Sequence, residues 1–419
     1  MQVEIVTIGN EVLSGRTLDT NFAFLARALE EASIEVAWHS TVGDSAERIA
    51  EGLRRALERA DAVLMTGGLG PTPDDLTRRA VSSALERPLQ LDEAVLDQIR
   101  ERVRRMGRKV PPSIEAQALL PYGAQAWPNR NGTAPGILIE ERGRPVILLP
   151  GVPNEMEGLA KEFVVPYLRE RSGRAAESFT LRTFGIVESA LQERIGDLPQ
   201  HWPAATLAYL PSWLGVDLRV SVAGADAAAV RATAARAHED LMRVVAPVLY
   251  AEGTKGLEEV VGELLIARGW RIATAESCTG GLVAKRLTDT PGSSRFVERG
   301  FVTYSNRSKQ ELLGVGPATL DAHGAVSGEV AAEMAAGAAK GAGVEVGIGV
   351  TGIAGPDGGT PAKPVGTVFI AVADESGVAV RSLRMLGSRA AIRERSAQNA
   401  LDLARRRLSG LPSEPALGK

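Results

Sequence analysis

The sequence predicts an α/β protein made of two α/β domains joined by a small α+β domain. Three observations carry this. A length of 419 residues exceeds what one core ordinarily serves and calls for two or three domains. Short β-branched runs alternate with helical patterns at both ends of the chain, and in the middle strands follow one another directly. The expected boundaries are 1–170, 176–252 and 256–410.

In the first domain, VEIVTIG, IEVAWHSTVG and DAVLMTGG read as strands, and NFAFLARALEEA, AERIAEGLRRALERA and LTRRAVSSAL as helices. That rhythm predicts a parallel sheet covered by helices. GRPVILLPGVP is a further strand and EMEGLAKEFVVPYL a closing helix. Polar and small residues from Leu168 to Ser178 interrupt both periods and are expected to form a linker. The middle domain reads SFTLRTFG, SALQERIGDL, LAYLP, VDLRVSVAG and AAVRATAARAHEDLMRVV. It contains no G-x-x-G loop flanked by basic residues, so a nucleic-acid role has no motif to rest on. The last domain runs from the helix EEVVGELLIARG through WRIATAES, GGLVAKRLTD, FVTYSN, KQELLGV, EVAAEMAAGAAKGAG, VEVGIGVTG and GTVFIAVAD to RAAIRERSAQNALDLARRRL, and the tail LPSEPALGK is expected to fray.

Composition narrows the function. A net charge of −3 offers no footprint for duplex nucleic acid. Cys278 is the single cysteine, which excludes an intrachain disulfide or multi-thiolate metal site and fits a reducing compartment. With no apolar run long enough for a bilayer and a strand-like start, cytoplasmic residence is expected. The four histidines lie far apart without metal spacing.

TAESCTGGLVAKRL places Glu276, Ser277, Cys278 and Thr279 at the end of a short strand, with Gly280 and Gly281 opening a helix. Unpaired N–H groups and the positive dipole end suit an oxyanion. Ser277 or Thr279 can equally cap the helix. FVTYSNRSKQELLGV brings Tyr304 and Lys309 to the same edge, because ligand sites of open α/β sheets gather at the carboxyl ends of the strands. For the serine–lysine pair that the family resemblance given below implies, a neutral amine is required. Lysine's ordinary pKa of about 10.4 makes that cost about 4.6 kcal/mol at pH 7, so burial or a neighbouring cation must lower it. Cys278 is the competing nucleophile. Gly347, Gly349 and Gly352 match G-x-G-x-x-G formally, but the prolines and glycines after them forbid the required helix; a loop whose bare backbone nears ribose or phosphate, with Thr351 and Gly352 nearest, is the expected use.

TGGLGPTPDDLT follows a strand directly. Gly67, Gly68 and Gly70 permit amides to converge on a phosphate, and Asp74 and Asp75 supply carboxylates for a divalent cation between them. A tight turn with a helix cap is the plain alternative.

Five segments, AESCTGG, FVTYSN with its following lysine, HGAVS, TGIAGPDGG and KPVGTV, resemble the C-terminal domain of the CinA family, similar to bacterial nicotinamide mononucleotide (NMN) deamidases. The resemblance implies hydrolysis of NMN to nicotinic acid mononucleotide and ammonia without a cofactor. Ser277 would be the nucleophile and Lys309 the base, with Tyr304 close by, and Glu276, Thr279, Gly280, Gly281, Thr351 and Gly352 would meet substrate. The loops GNEVLSGRTLDTN, TVGD, PNRNGTAPG and LLPGVPNEM resemble the family's N-terminal domain, similar to molybdopterin-binding domains. That implies metal-dependent hydrolysis of ADP-ribose to AMP and ribose 5-phosphate. Carried over, Asp44, Asp74, Asp75, Glu11 and Glu155 would hold Mg²⁺, Mn²⁺ or Co²⁺, Asp75 would act in catalysis, and Asn21 and Thr133 would line the substrate with the three glycines. Arg130 stands where relatives often carry proline. The alternatives are a silent or molybdopterin-binding first domain, and an interaction protein of competence or DNA damage. A homodimer is expected, without membrane or direct nucleic-acid partners.

Overall fold

The computed structural model describes residues 1–107 and 109–414, so the end of the tail, 415–419, lies outside the described residues. They fall into two compact units, 1–178 with 221–234, and 179–220 with the residues from 235 on.

The first unit is built on a six-stranded sheet. In chain order its main elements are β1 (Gln2–Ile8), α1 (Thr20–Glu31), β2 (Glu35–Val42), α2 (Ala46–Arg59), β3 (Ala62–Thr66), α3 (Thr77–Ala84), α4 (Glu93–Arg105), β4 (Gln125–Trp127), β5 (Gly136–Glu141), β6 (Arg144–Leu149), α5 (Pro153–Leu159) and α6 (Val165–Ser172), with a π turn between the last two. The strand order is β2-β1-β3-β6-β5-β4. Alternation along the strands sorts the core into two faces. Val6, Ile8, Val63 and Met65 pack with Ile49 and Leu53 of α2, Val81 of α3 and Val95 and Ile99 of α4. Val3, Ile5, Ala62 and Leu64 pack with Leu25 and Leu29 of α1 and Leu159 and Leu168 beyond β6.

This sheet corrects the all-parallel expectation. β2, β1, β3 and β6 run parallel, but β5 pairs antiparallel with β6, and β4 antiparallel with β5. The reversal is a two-residue turn in which Arg142 (φ 50) and Gly143 (φ 78) both adopt left-handed conformations, the turn that matches strand twist. The expected linker over 168–178 is also corrected. Helix α6 continues to Ser172 and stops on Gly173 in the left-handed conformation, and β7 begins at Ala175.

The second sheet holds β7 (Ala175–Thr183), β8 (Ala205–Ser212), β9 (Gly215–Gly224) and β10 (Leu249–Glu252) in the order β8-β9-β7-β10, accompanied by α7 (Glu188–Ile195) and α8 (Ala227–Val245). The third comprises β11 (Ile272–Glu276), β12 (Val297–Val302), β13 (Val346–Gly352), β14 (Thr367–Asp374) and β15 (Gly377–Arg384) in the order β12-β11-β13-β14-β15. β12, β11 and β13 are parallel, and β14 and β15 antiparallel. Its helices are α9 (Leu257–Arg268), α10 (Leu282–Asp289), α11 (Asn306–Leu313), α12 (Pro317–His323), α13 (Gly328–Ala342) and α14 (Arg389–Leu408). α9, α10 and α14 cover one face through Val261, Leu287 and Leu401, and α11 to α13 the other through Leu313, Leu320 and Met334.

The glycines of the formal G-x-G-x-x-G serve this packing. A Cβ on Gly347 would lie 2.0 Å from the carbonyl oxygen of Ala335 in α13, and one on Gly349 would lie 2.3 Å from that of Ala331. Helix backbone rests on strand backbone there. Thr351 is buried with its hydroxyl donating to the Ala325 carbonyl at 2.7 Å, and a Cβ on Gly352 would meet Val368 Cγ2 at 2.6 Å. Thr351, expected nearest a ribose or phosphate, thus has its hydroxyl engaged within the fold, and Gly352 is half-buried.

Candidate active site

β11 delivers Ser277 at its carboxyl end, and the segment after β12 delivers Lys309 in the first turn of α11. Ser305 caps that helix, accepting the amide of Ser308. The two strands are parallel neighbours, so their following loops share one edge. Lys309 Nζ lies 3.1 Å from Ser277 Oγ and donates to the Thr303 carbonyl at 2.8 Å. Lys309 is only 1% exposed, and burial holds its pKa below the ordinary lysine value. No carboxylate pairs with it among the described residues. An amine so placed is biased to be neutral, with a lone pair to accept the Ser277 proton. The neighbouring thiol is biased the opposite way: burial pushes Cys278 up to about 12, and its own amide only partly offsets this.

Glu276, expected to meet substrate, is fully buried and turned into the start of α10. Its carboxylate accepts the amides of Val283 at 3.0 Å and Ala284 at 2.8 Å. The open positive helix end read from the sequence is thus closed from within, and burial lowers the Lys309 pKa. Thr279 is also fully buried, its hydroxyl without a hydrogen-bond partner among the described residues. Gly280 and Gly281 both take left-handed conformations (φ 61 and φ 92) to turn the chain into α10. Tyr304 is exposed, and its hydroxyl is held by Arg389 Nη2 at 3.0 Å.

Two arginines of α14 join this edge without having been singled out in the sequence. Arg389 also donates to the Gly355 carbonyl at 2.7 Å, and Arg393 donates to the Thr279 carbonyl at 2.7 and 3.2 Å. The available signal for Arg389 was its position, since a cation in a helix's first turn opposes the dipole and needs another use; Arg393, one turn further, carries no such signal.

In the first unit the loop after β3 is tightly built. Gly67 (φ 120) packs where a Cβ would lie 2.2 Å from the Ile8 carbonyl, and Gly68 (φ 62) abuts Thr77 Oγ1, which donates to the Gly67 carbonyl at 2.8 Å. Gly70 touches Asp75, whose carboxylate accepts the amide and hydroxyl of Thr72 at 2.9 and 2.6 Å. Asn21 donates to Thr66 Oγ1 and the Gly151 carbonyl, leaving its own Oδ1 buried without a partner among the described residues. Thr133 is half-buried.

The five carboxylates expected to hold a metal do not form a set. Among the described residues no three of His, Cys, Asp and Glu come together so as to hold an ion. Asp44 accepts the Asn10 amide at 2.8 Å, Asp75 is held by Thr72, and Glu11 and Asp74 are exposed. Glu155 accepts Asn129 Nδ2 at 2.6 Å, and burial raises its pKa above the usual carboxyl value. These donors do not by themselves fit a cation, and no chemical step is assigned to one.

Three family models match consecutive stretches of the chain. The family model described as a probable molybdopterin binding domain matches residues 4–170, the damage-inducible protein CinA KH domain 178–251, and the CinA C-terminal domain 254–408. A CinA-like protein of Gemmatimonas aurantiaca is 44% identical over 424 residues, covering 100% of this chain and 99% of that protein. One of Chlorobium luteolum is 42% identical over 411 residues, covering 96% and 95%. Among solved structures, the competence/damage inducible protein CihA from Agrobacterium tumefaciens is 43% identical over 35% of this chain and 92% of its own, with a TM-score of 0.34.

Proposed function

The chain belongs to the CinA family, and from that premise we propose that its C-terminal unit is an amidohydrolase acting on the carboxamide of NMN. The observation that supports this most directly is the 3.1 Å approach of Lys309 Nζ to Ser277 Oγ at a buried, carboxylate-free amine. Ser277 Oγ attacks the carboxamide carbon while its proton passes to Lys309 Nζ. The tetrahedral oxyanion collapses, and Lys309 returns the proton to the departing nitrogen, which leaves as ammonia. Water, deprotonated by the same amine, then cleaves the acyl-serine ester to give nicotinic acid mononucleotide. The chain's own bonds take the amides of Ser277, Gly280, Val283 and Ala284, and that of Cys278 bears on its own thiol, so the amide of Thr279 is the donor assigned to the developing oxyanion. The test is ammonia release from NMN by the full chain: stoichiometric ammonia and nicotinic acid mononucleotide support the reading, and their absence rejects it.

For the first unit we propose cleavage of the diphosphate of ADP-ribose to AMP and ribose 5-phosphate. The Gly67–Gly68 loop at the edge of β3, braced by Thr77 and facing Asn21 with its unpartnered Oδ1, supports a polar ligand there. AMP release from ADP-ribose, assayed with and without Mg²⁺, Mn²⁺ or Co²⁺, tests it; no AMP under any condition rejects it.

A further inference from the structure

We propose that a cavity between helix α4 and the loop 128–135 of the first unit binds a phosphate or diphosphate group, with Arg102 as its principal contact. The assignment deepens the proposed nucleotide chemistry of this unit, and rests on that reading for the nucleotide but not for the anion.

The cavity has a volume of about 260 Å³, room for a diphosphate. Residues 95, 99 and 102 fall on one face of α4 by helical spacing, so the cavity wall passes from apolar Val95 and Ile99 to the guanidinium of Arg102. Arg105, Arg130, Thr133, Gln98 and Asn129 add polar lining, and Glu101 is the one carboxylate in it, already paired with Arg105. It opens on the edge already described. β6 runs parallel to β3, with Leu149 beside Thr66, and β5 returns antiparallel with Ile137 beside Leu148, so the loop entering β5 emerges where β3 and β6 end.

Arginines in a last helical turn ordinarily serve the helix's own carbonyl end. Arg102 does not: its Nε is buried without a hydrogen-bond partner among the described residues, and the carboxyl on which its charge acts is that of Glu155. A buried, unbonded donor is a standing cost unless a ligand satisfies it. The other two cations are held loosely. Arg105 pairs with Glu101, and Arg130 with Glu162 at 2.8 Å, both on exposed side chains, and such pairs exchange partners cheaply. The loop opposite is preformed. Asn129 Nδ2 donates to Glu155 at 2.6 Å and to the Ala134 carbonyl at 2.8 Å, and Gly132 lies so close to Glu155 that a Cβ would fall 2.0 Å from its Cδ. A guanidinium fork on an apolar wall facing a fixed loop suits the paired oxygens of a phosphate.

The experiment is calorimetric titration of the full chain with inorganic diphosphate, inorganic phosphate, AMP and adenosine, repeated on R102Q and R102K, with thermal midpoints recorded. Diphosphate or AMP binding that weakens about tenfold or more in R102Q, partly recovers in R102K and is absent for adenosine supports the site. No anion binding by the wild type, or equal binding by R102Q, overturns it. The reaction is judged separately. Diphosphate binding through Arg102 without AMP from ADP-ribose keeps the site and rejects the reaction, whereas AMP released by R102Q at an unchanged KM keeps the reaction and overturns the site.

Discussion

Lys309 and Ser277 lie 32 residues apart in the chain and 3.1 Å apart in space, joined by a hydrogen bond between the loops of two parallel strands. Removing either side chain separates nucleophile from base. Ser277→Ala is expected to lower kcat for ammonia release from NMN by a factor of about 10³ or more, since the attacking atom itself is lost. Cys278→Ala should retain most activity, because a thiol raised to about 12 is not a thiolate at neutral pH. The reverse pattern would reassign the nucleophile.

The pH profile follows from the lowered pKa of Lys309. Activity needs the neutral amine, so kcat/KM for NMN should rise with pH through an apparent pKa below the ordinary lysine value of about 10.4. Stability has the same sign. A lysine whose folded pKa lies below its unfolded value destabilises the fold while both states are protonated, and that penalty lifts as pH rises from the folded to the unfolded pKa. Lys309→Met should abolish ammonia release and raise the thermal midpoint at neutral pH, a gain of about 0.5–2 kcal/mol. A midpoint that falls would show that the bonds to Ser277 and Thr303 outweigh the cost of burying the amine.

Glu276 should matter through architecture. Glu276→Gln sets an amide nitrogen against one of the two N–H donors of α10, and a stability loss of about 1–3 kcal/mol is expected in chemical denaturation. Unchanged stability would mean the carboxylate does not cap the helix.

Asp402 is 1% exposed and binds three buried arginines, Arg381, Arg405 and Arg406, at 3.2, 2.8 and 3.0 Å. Arg405 and Arg406 also donate to the Leu249 and Pro247 carbonyls. Asp402→Ala leaves Arg405 and Arg406 without a carboxylate while Arg381 keeps Glu414 at 3.0 Å, at a cost of about 3–5 kcal/mol, which urea titration would register. A loss under about 1 kcal/mol would show that the carbonyls suffice.

Much of this was legible in the sequence, for identifiable reasons. The alternation of β-branched runs with amphipathic helices marked both helix-covered sheets, and the expectation that the loops carrying Ser277 and Lys309 point at one edge followed from it. The direction of β5 was not legible. It hangs on a turn carrying Arg142 at φ 50 where the recognisable residues would be asparagine or aspartate. Helix α4 was within reach: Asp92 caps it, accepting the Val95 amide, and Val95, Leu96, Ile99 and Val103 form its buried stripe. Its arginine density hid that stripe. The fate of Glu276 could not be read, because a carboxylate beside a helix start serves a ligand or the helix itself with the same letters. The scatter of the five acidic residues was equally hidden, since strand-end loops share an edge without sharing a point.

The contact of Gly347 and Gly349 with α13 has an evolutionary corollary. Where main chain bears directly on main chain, no larger side chain can be admitted at one position and accommodated by trimming a neighbour, since the opposing atoms are peptide oxygens common to every residue. Drift at this seam is limited to joint displacement of the whole helix, and sequences that keep β13 in place should keep both glycines even if the chemistry at the nearby serine is lost.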